Sequence, residues 1–270
     1  MKSYSLLKTD QFDESTYYNY SRFKHGSKKI AREFGKSLAE KLINLNTFEK
    51  DNSYVIYDAP YKNVSTASHA LKNYLLASLS YDLMNKNCEI KQDKIHRDQS
   101  YDNDYGLMTK EERVKAITSD LFSMNPKFID EKDILECIDD IKITGAHEDR
   151  IKSLLQRYDI TNECIFIYLF EYTGSDPKTE HRLNHHDVSD LLDVNDIIRN
   201  DEFIFNTRVV KFILNAKLDE FVNFIMYQSD SFQETLFNYS VLNNYHKTDK
   251  YKMNFDILKN LLLKRGLIKS

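Results

Sequence analysis

The stretch Ile134-Leu135-Glu136-Cys137-Ile138-Asp139-Asp140-Ile141-Lys142-Ile143-Thr144-Gly145-Ala146-His147 decides how this chain is read. Its apolar start predicts a short strand over 133–138 that ends in two adjacent carboxylates, Asp139 and Asp140. A Thr144-Gly145 turn follows, then a helix over 148–157 carried by Ile151, Leu154 and Leu155. The next apolar run, 164–170, is the kind of strand buried on both faces. Together these make a parallel strand–helix–strand unit. Open α/β sheets bind ligands where a strand gives way to a helix N-terminus. There the free N–H groups and the helix dipole suit a phosphate, and Gly145 allows close backbone approach. Two carboxylates beside a phosphate suit a ribose diol or a Mg²⁺ ion.

Working outward, 53–57 (Ser-Tyr-Val-Ile-Tyr) predicts a second strand, stopped by Pro60. Thr66 is the N-cap of a helix whose apolar face runs through Ala67, Ala70, Leu71, Leu75 and Leu79. Ser27 caps an N-terminal helix over 27–45, with Ile30, Phe34, Leu38 and Leu42 as its stripe. Residues 2–24 are polar and aromatic and carry no element assignment. Residues 88–106 form a polar stretch with Lys91, Lys94, His96 and Arg97 at its start, and a loop of this length is commonly functional. Thr109 caps a further helix with Glu111 and Glu112 in its first turn.

Beyond residue 200 the pattern is helical: one long helix from Val209 to Ile225, a second over 232–245, and a third over 255–264 ending at Gly266. His181 and His185 are spaced to share a helix face, but no third ligand stands at a diagnostic spacing for a metal.

The totals exclude several classes. A net charge of −4 gives no support to a nucleic-acid or membrane partner, although the first fifty residues carry an excess of Lys and Arg. No apolar run approaches the length of a membrane span, and MKSYSLLKTDQFDE has no apolar signal region, so a cytoplasmic location is expected. The three cysteines, Cys88, Cys137 and Cys164, have neither zinc nor disulfide spacing.

The order of apolar strand, Asp139-Asp140, three mostly apolar residues and Thr144-Gly145 resembles the phosphoribosyl-pyrophosphate (PRPP) signature of type I phosphoribosyltransferases. The resemblance implies an α/β fold, a parallel-sheet phosphoribosyltransferase-like core with helical N- and C-terminal additions. The domain would span 1–200 with its core at 50–175, and 201–270 would be a C-terminal helical extension. It implies Asp139 and Asp140 as catalytic carboxylates that hold the ribose diol, directly or through Mg²⁺. Thr144, Gly145, Ala146, His147 and Glu148 would bind the 5′-phosphate. Lys62 and Asn63, with Ser65 and Thr66 near the helix start, would contact pyrophosphate. Lys94 and Arg97 would neutralise it as it leaves, with Tyr105 and Gly106 as a hinge. The expected ligands are PRPP or a nucleoside 5′-monophosphate and a nitrogenous base. His147 stands where the family has Thr or Ser, and Glu136 and Lys142 stand where it is mostly apolar. Tyr20-Ser21-Arg22-Phe23-Lys24-His25-Gly26 and Ala59-Pro60-Tyr61-Lys62 are similar to the divergent phosphoribosyltransferases of bacterial stress-response and conflict operons. The C-terminal helices would form a base-specificity hood, a homodimer interface or a docking site for another protein. The alternative on the same fold is a non-catalytic nucleotide sensor or adaptor.

Overall fold

The structure is a computed structural model that describes residues 2–97, 122–176 and 178–269. At its centre is a five-stranded sheet in the order β1-β7-β6-β2-β3, parallel throughout: β1 (Lys2–Thr9), β2 (Ser53–Asp58), β3 (Glu89–Gln92), β6 (Ile134–Lys142) and β7 (Cys164–Tyr172). A separate antiparallel pair joins β4 (His96–Arg97) to β5 (Phe122–Ser123). The protein is therefore α/β with a parallel sheet, as expected. The Thr109 helix and the Tyr105-Gly106 hinge lie outside the described residues.

The two faces of the sheet are sorted by the period-2 alternation of its strands. Tyr54, Ile56, Ile138, Ile165, Ile167 and Leu169 face one side. There they pack against α1 (Glu14–Lys24), α2 (Lys28–Asn44) and α3 (Ala67–Asn85). Val55, Tyr57, Leu135, Cys137, Phe166 and Tyr168 face the other, under α4 (Ala146–Arg157). Helices α2 and α3 cross closely because Gly35 has no side chain: a Cβ there would meet the Tyr74 Cβ at 2.6 Å.

A third apolar cluster gathers the C-terminal helices: α6 (Leu191–Asn200), α7 (Thr207–Leu214), α8 (Leu218–Met226), α9 (Asp230–Leu242) and α10 (Asp249–Lys264). Val64, from the β2–α3 loop, joins this cluster. Helix α5 (Thr179–His185) lies between the sheet and these helices in the chain. Arg22 ties the parts together, bonding Asp201 and Asp196 at 2.8 Å each and Asp187 at 3.1 Å.

Several sequence expectations need correction. The strand predicted over 133–138 runs on to Lys142, so Asp139 and Asp140 lie within it, paired with β7 as far as Lys142↔Glu171. The long helix expected from Val209 to Ile225 is two helices. Asn254 donates to the carbonyls of Leu214 and Ala216 at 3.0 and 2.8 Å and stabilises the break between them. The helix expected over 232–245 stops at Leu242, where Asn244 turns left-handed at φ +60°. Helix α10 starts at Asp249, before the 255 expected, and Gly266 ends it at φ +70°. Residues 2–24 hold two elements that went unassigned, β1 and α1. Strand β1 is a half-exposed edge strand without an apolar run. Helix α1 is capped by Asp13, which accepts from the Thr16 N–H at 2.7 Å.

Candidate active site

A cleft of about 360 Å³ opens along the C-terminal ends of β2 and β6, with α7 and the start of α10 as its opposite wall. The sheet side contributes Asp139, Asp140 and the turn from Ile143 to His147.

As neighbours on a strand, Asp139 and Asp140 point to opposite faces of the sheet. Asp139 Oδ1 accepts from the Ser68 hydroxyl at 2.9 Å and from the Asp140 N–H at 2.8 Å. Its Oδ2 lies 2.8 Å from Nδ1 of His147. Asp140 Oδ2 accepts from the Lys24 ammonium at the end of α1. Both carboxylates are buried. Burial pushes Asp139 up, but the hydrogen bond and charge of His147 outweigh it and hold the carboxyl well below the usual range. Burial raises Asp140; Lys24 opposes this, Asp139 adds to it, and the result stays above the ordinary aspartate value. The pair is thus split electrostatically, with Asp139 firmly ionised.

Helix α4 starts at Gly145, which takes φ +74° and offers no side-chain cap. The N–H groups of the first turn are left without intrahelical partners, save a long 3.4 Å bond from Ala146 to the Thr144 hydroxyl. A Cβ on Gly145 would meet only the Lys142 Cε, at 3.9 Å. Glu148 does not line the cleft. Its Oε1 accepts from Lys142 at 2.6 Å and from the Tyr168 hydroxyl at 3.1 Å, which fixes the base of the turn.

The other predicted site residues are divided. Thr66 lines the cleft at the N-terminus of α3, and its hydroxyl oxygen is buried with no partner. Arg97 also lines it. Lys62, Asn63 and Lys94 do not line it. Asn63 is held by α9: its amide donates to the Leu242 carbonyl at 2.5 Å, and its N–H donates to Asn243 at 3.1 Å. Lys94 donates to the Lys62 carbonyl and sits 4.0 Å from the Tyr61 ring centroid. Lys94 therefore braces the β2–α3 loop.

The sequence reading missed Lys24, Ser68, Arg150, Arg208, Lys211, Phe212, Lys250 and Tyr251, which all line the cleft. For α7 a signal was available. Arg208, Lys211 and Asn215 recur at helical spacing opposite the buried Val209, Val210, Ile213 and Leu214.

The PRTase ComF-like family profile matches residues 2–258. The chain belongs to the PRTase ComF-like family. No curated protein matches it. Among solved structures, a hypoxanthine phosphoribosyltransferase of Staphylococcus aureus aligns at 14% identity and a TM-score of 0.32. That alignment covers 52% of this chain and 64% of the other, so it spans less than two thirds of the S. aureus enzyme. A mutant hypoxanthine phosphoribosyltransferase of Trypanosoma cruzi, complexed with the product IMP, aligns at 13% identity and a TM-score of 0.32. It covers 54% of this chain and 66% of the other. Among the described residues of this PRTase ComF-like protein, no helix is long and apolar enough to cross a membrane.

Proposed function

We propose that this protein is a Mg²⁺-dependent enzyme that transfers a phosphoribosyl group between PRPP and a nitrogenous base, with exchange of pyrophosphate. One observation carries the reading. The Asp139–Asp140 pair is followed, within one strand-to-helix turn, by the uncapped N-terminus of α4 at left-handed Gly145, on the wall of one cleft. Membership of the PRTase ComF-like family supports it.

In this reading the first-turn N–H groups of α4 and the Thr144 hydroxyl hold the 5′-phosphate. Asp139 and Asp140 accept from the ribose hydroxyls. The unpartnered Thr66 hydroxyl, at the N-terminus of α3, and Arg97 serve the pyrophosphate end. A nitrogen of the base supplies its electron pair to C1 of the sugar and, where it carries a proton, gives it up to solvent. The bond from C1 to pyrophosphate oxygen breaks and its electrons leave with the pyrophosphate. The sugar gains positive charge on the way, which the ionised Asp139 stabilises through space. Mg²⁺, when bound, neutralises the leaving pyrophosphate. Asp139 and Asp140 are hard oxygen donors and fit an ion that keeps water and substrate phosphates as its other ligands.

A second reading, a nucleotide-binding protein without turnover, has one observation in its favour. Asp139 is already bonded to Ser68, Asp140 and His147, and Asp140 to Lys24, so a ligand must compete for both. Calorimetry with PRPP, ribose 5-phosphate and nucleoside 5′-monophosphates, run beside a pyrophosphate-release assay over a panel of bases, separates the two. Transfer lost in Asp139→Asn and Asp140→Asn supports the enzyme. Binding without release on any base supports the second reading, and absence of binding removes both.

A further inference from the structure

The wall of the cleft opposite the sheet is built differently from the wall that holds the carboxylates. Arg208 and Lys211 sit one turn apart on α7, and Lys250 lies in the first turn of α10. Between them Phe212 is half-buried on the same wall, while Tyr251 is buried in the C-terminal core with its ring edge-on to Tyr245 at 5.5 Å. Arg208 is half-buried and makes no ion pair or hydrogen bond among the described residues. A guanidinium drawn part-way out of water without a counter-ion is costly, and a ligand anion removes that cost. One acid, Glu180, lines the cleft besides Asp139 and Asp140. Charge from Arg208 reaches buried His25, which burial and then Arg208 hold well below its ordinary pKa. His25 therefore stays neutral and cannot add to the positive charge, nor can it serve as a counter-ion.

A phosphoribosyl donor has three anionic or polar ends, and each has its own residues on the sheet side: the α4 turn, the two aspartates, and Thr66 with Arg97. The cations on α7 and α10 are additional to these. They line the same cleft as the aspartates, with the half-buried Phe212 beside them.

We propose that the acceptor of this enzyme is a flat aromatic ring bearing a carboxylate, which Arg208 and Lys211 bind while Phe212 stacks on the ring. This rests on the phosphoribosyl-transfer reading and narrows its acceptor from any nitrogenous base to an anionic one. Guanidinium binds a carboxylate in two parallel hydrogen bonds, so Arg208 discriminates the charged ring from its neutral counterpart by geometry as well as by charge.

The test uses matched pairs of rings that differ in one carboxylate: orotate and uracil, nicotinate and nicotinamide, anthranilate and aniline. Each is titrated into the full chain with and without saturating ribose 5-phosphate. The expected result is that the charged member of at least one pair binds about tenfold more tightly or better, and that Arg208→Ala abolishes the preference while PRPP affinity is retained. Equal binding within all three pairs overturns the proposal. So does a preference that survives Arg208→Ala. A loss of PRPP or pyrophosphate affinity in Arg208→Ala as large as the loss for the ring also overturns it, because the cations would then serve the leaving group. Failure of ribose 5-phosphate and PRPP to bind the unaltered protein is read separately and counts against phosphoribosyl transfer itself.

Discussion

The ammonium of Lys24 lies against Oδ2 of Asp140, joining the last turn of α1 to the second carboxylate of the pair. The two side chains are 15% and 7% exposed, so the contact is poorly screened by solvent. Lys24 opposes the rise in the Asp140 pKa that burial imposes. Removing it should let Asp140 take up a proton nearer neutral pH. In Lys24→Met, affinity for ribose 5-phosphate is expected to be lower at pH 6.5 than at pH 8.5, because protonated Asp140 no longer accepts from the ribose hydroxyls. Calorimetry at the two pH values checks this; an equal loss at both would assign Lys24 a direct ligand contact instead.

Gly145 is expected to be intolerant for reasons of backbone, not space. Its φ of +74° is left-handed, and the nearest atom to a built Cβ is 3.9 Å away. Gly145→Ala should cost about 1 kcal/mol or somewhat more and should weaken phosphate binding as the turn relaxes. Gly145→Asn, which tolerates the left-handed region better, should cost less. Urea unfolding and ribose 5-phosphate titration of the two variants give the comparison.

Glu136 is fully buried on β6 between Ile56 and Ile165, and neither carboxyl oxygen has a partner. Burial raises its pKa to about 8. The folded protein therefore holds a proton here that the unfolded chain releases above its ordinary pKa of 4.5. The stability from this group is complete below that value and is lost as pH rises toward 8, by up to about 1.4 kcal/mol per pH unit. Glu136→Leu should flatten this part of the stability–pH profile and gain more at pH 8.5 than at pH 5. Thermal or urea unfolding across that range measures it; identical slopes in the two proteins would show that water or movement relieves the buried charge.

Arg22 holds three carboxylates from the chain that follows β7, at 2.8, 2.8 and 3.1 Å. Its side chain is 7% exposed and Asp201 is 9% exposed. Arg22→Ala should destabilise by about 3 kcal/mol, since it leaves Asp201 buried without its partner. Arg22→Lys should recover only part of that loss, because one ammonium cannot span three acceptors. Denaturant midpoints of the two variants decide between charge and geometry.

The legible parts of the sequence were those where local pattern and burial agree. The run from Cys164 to Phe170 is apolar on both faces, and the structure buries each of these residues. The Ser27 cap accepts from the Ile30 N–H at 3.2 Å, and the stripe through Leu38 and Leu42 is fully buried. Strand β1 was not legible, because an edge strand needs only one neighbour and half a buried face. Its residues alternate too weakly to stand out. Helix α1 was hidden for the opposite reason: Tyr20, Ser21, Arg22 and Phe23 are all buried in succession, so no polar face marks the period. The break between α7 and α8 depends on Asn254, some forty residues further on.

By itself the sequence determined the strand–turn–helix with Asp139, Asp140 and Gly145, because those features depend on residues a few positions apart. Only the tertiary structure decided what faces them. Lys24 reaches Asp140 across 116 residues and Ser68 reaches Asp139 across 71. Arg208 and Lys211 come to the cleft because Val209, Val210, Ile213 and Leu214 turn the other side of α7 into the C-terminal core. The same packing ties Asn63 to α9 and away from the cleft. A side chain's period along its own helix or strand is local, whereas the surface it meets is set by the burial of distant apolar faces.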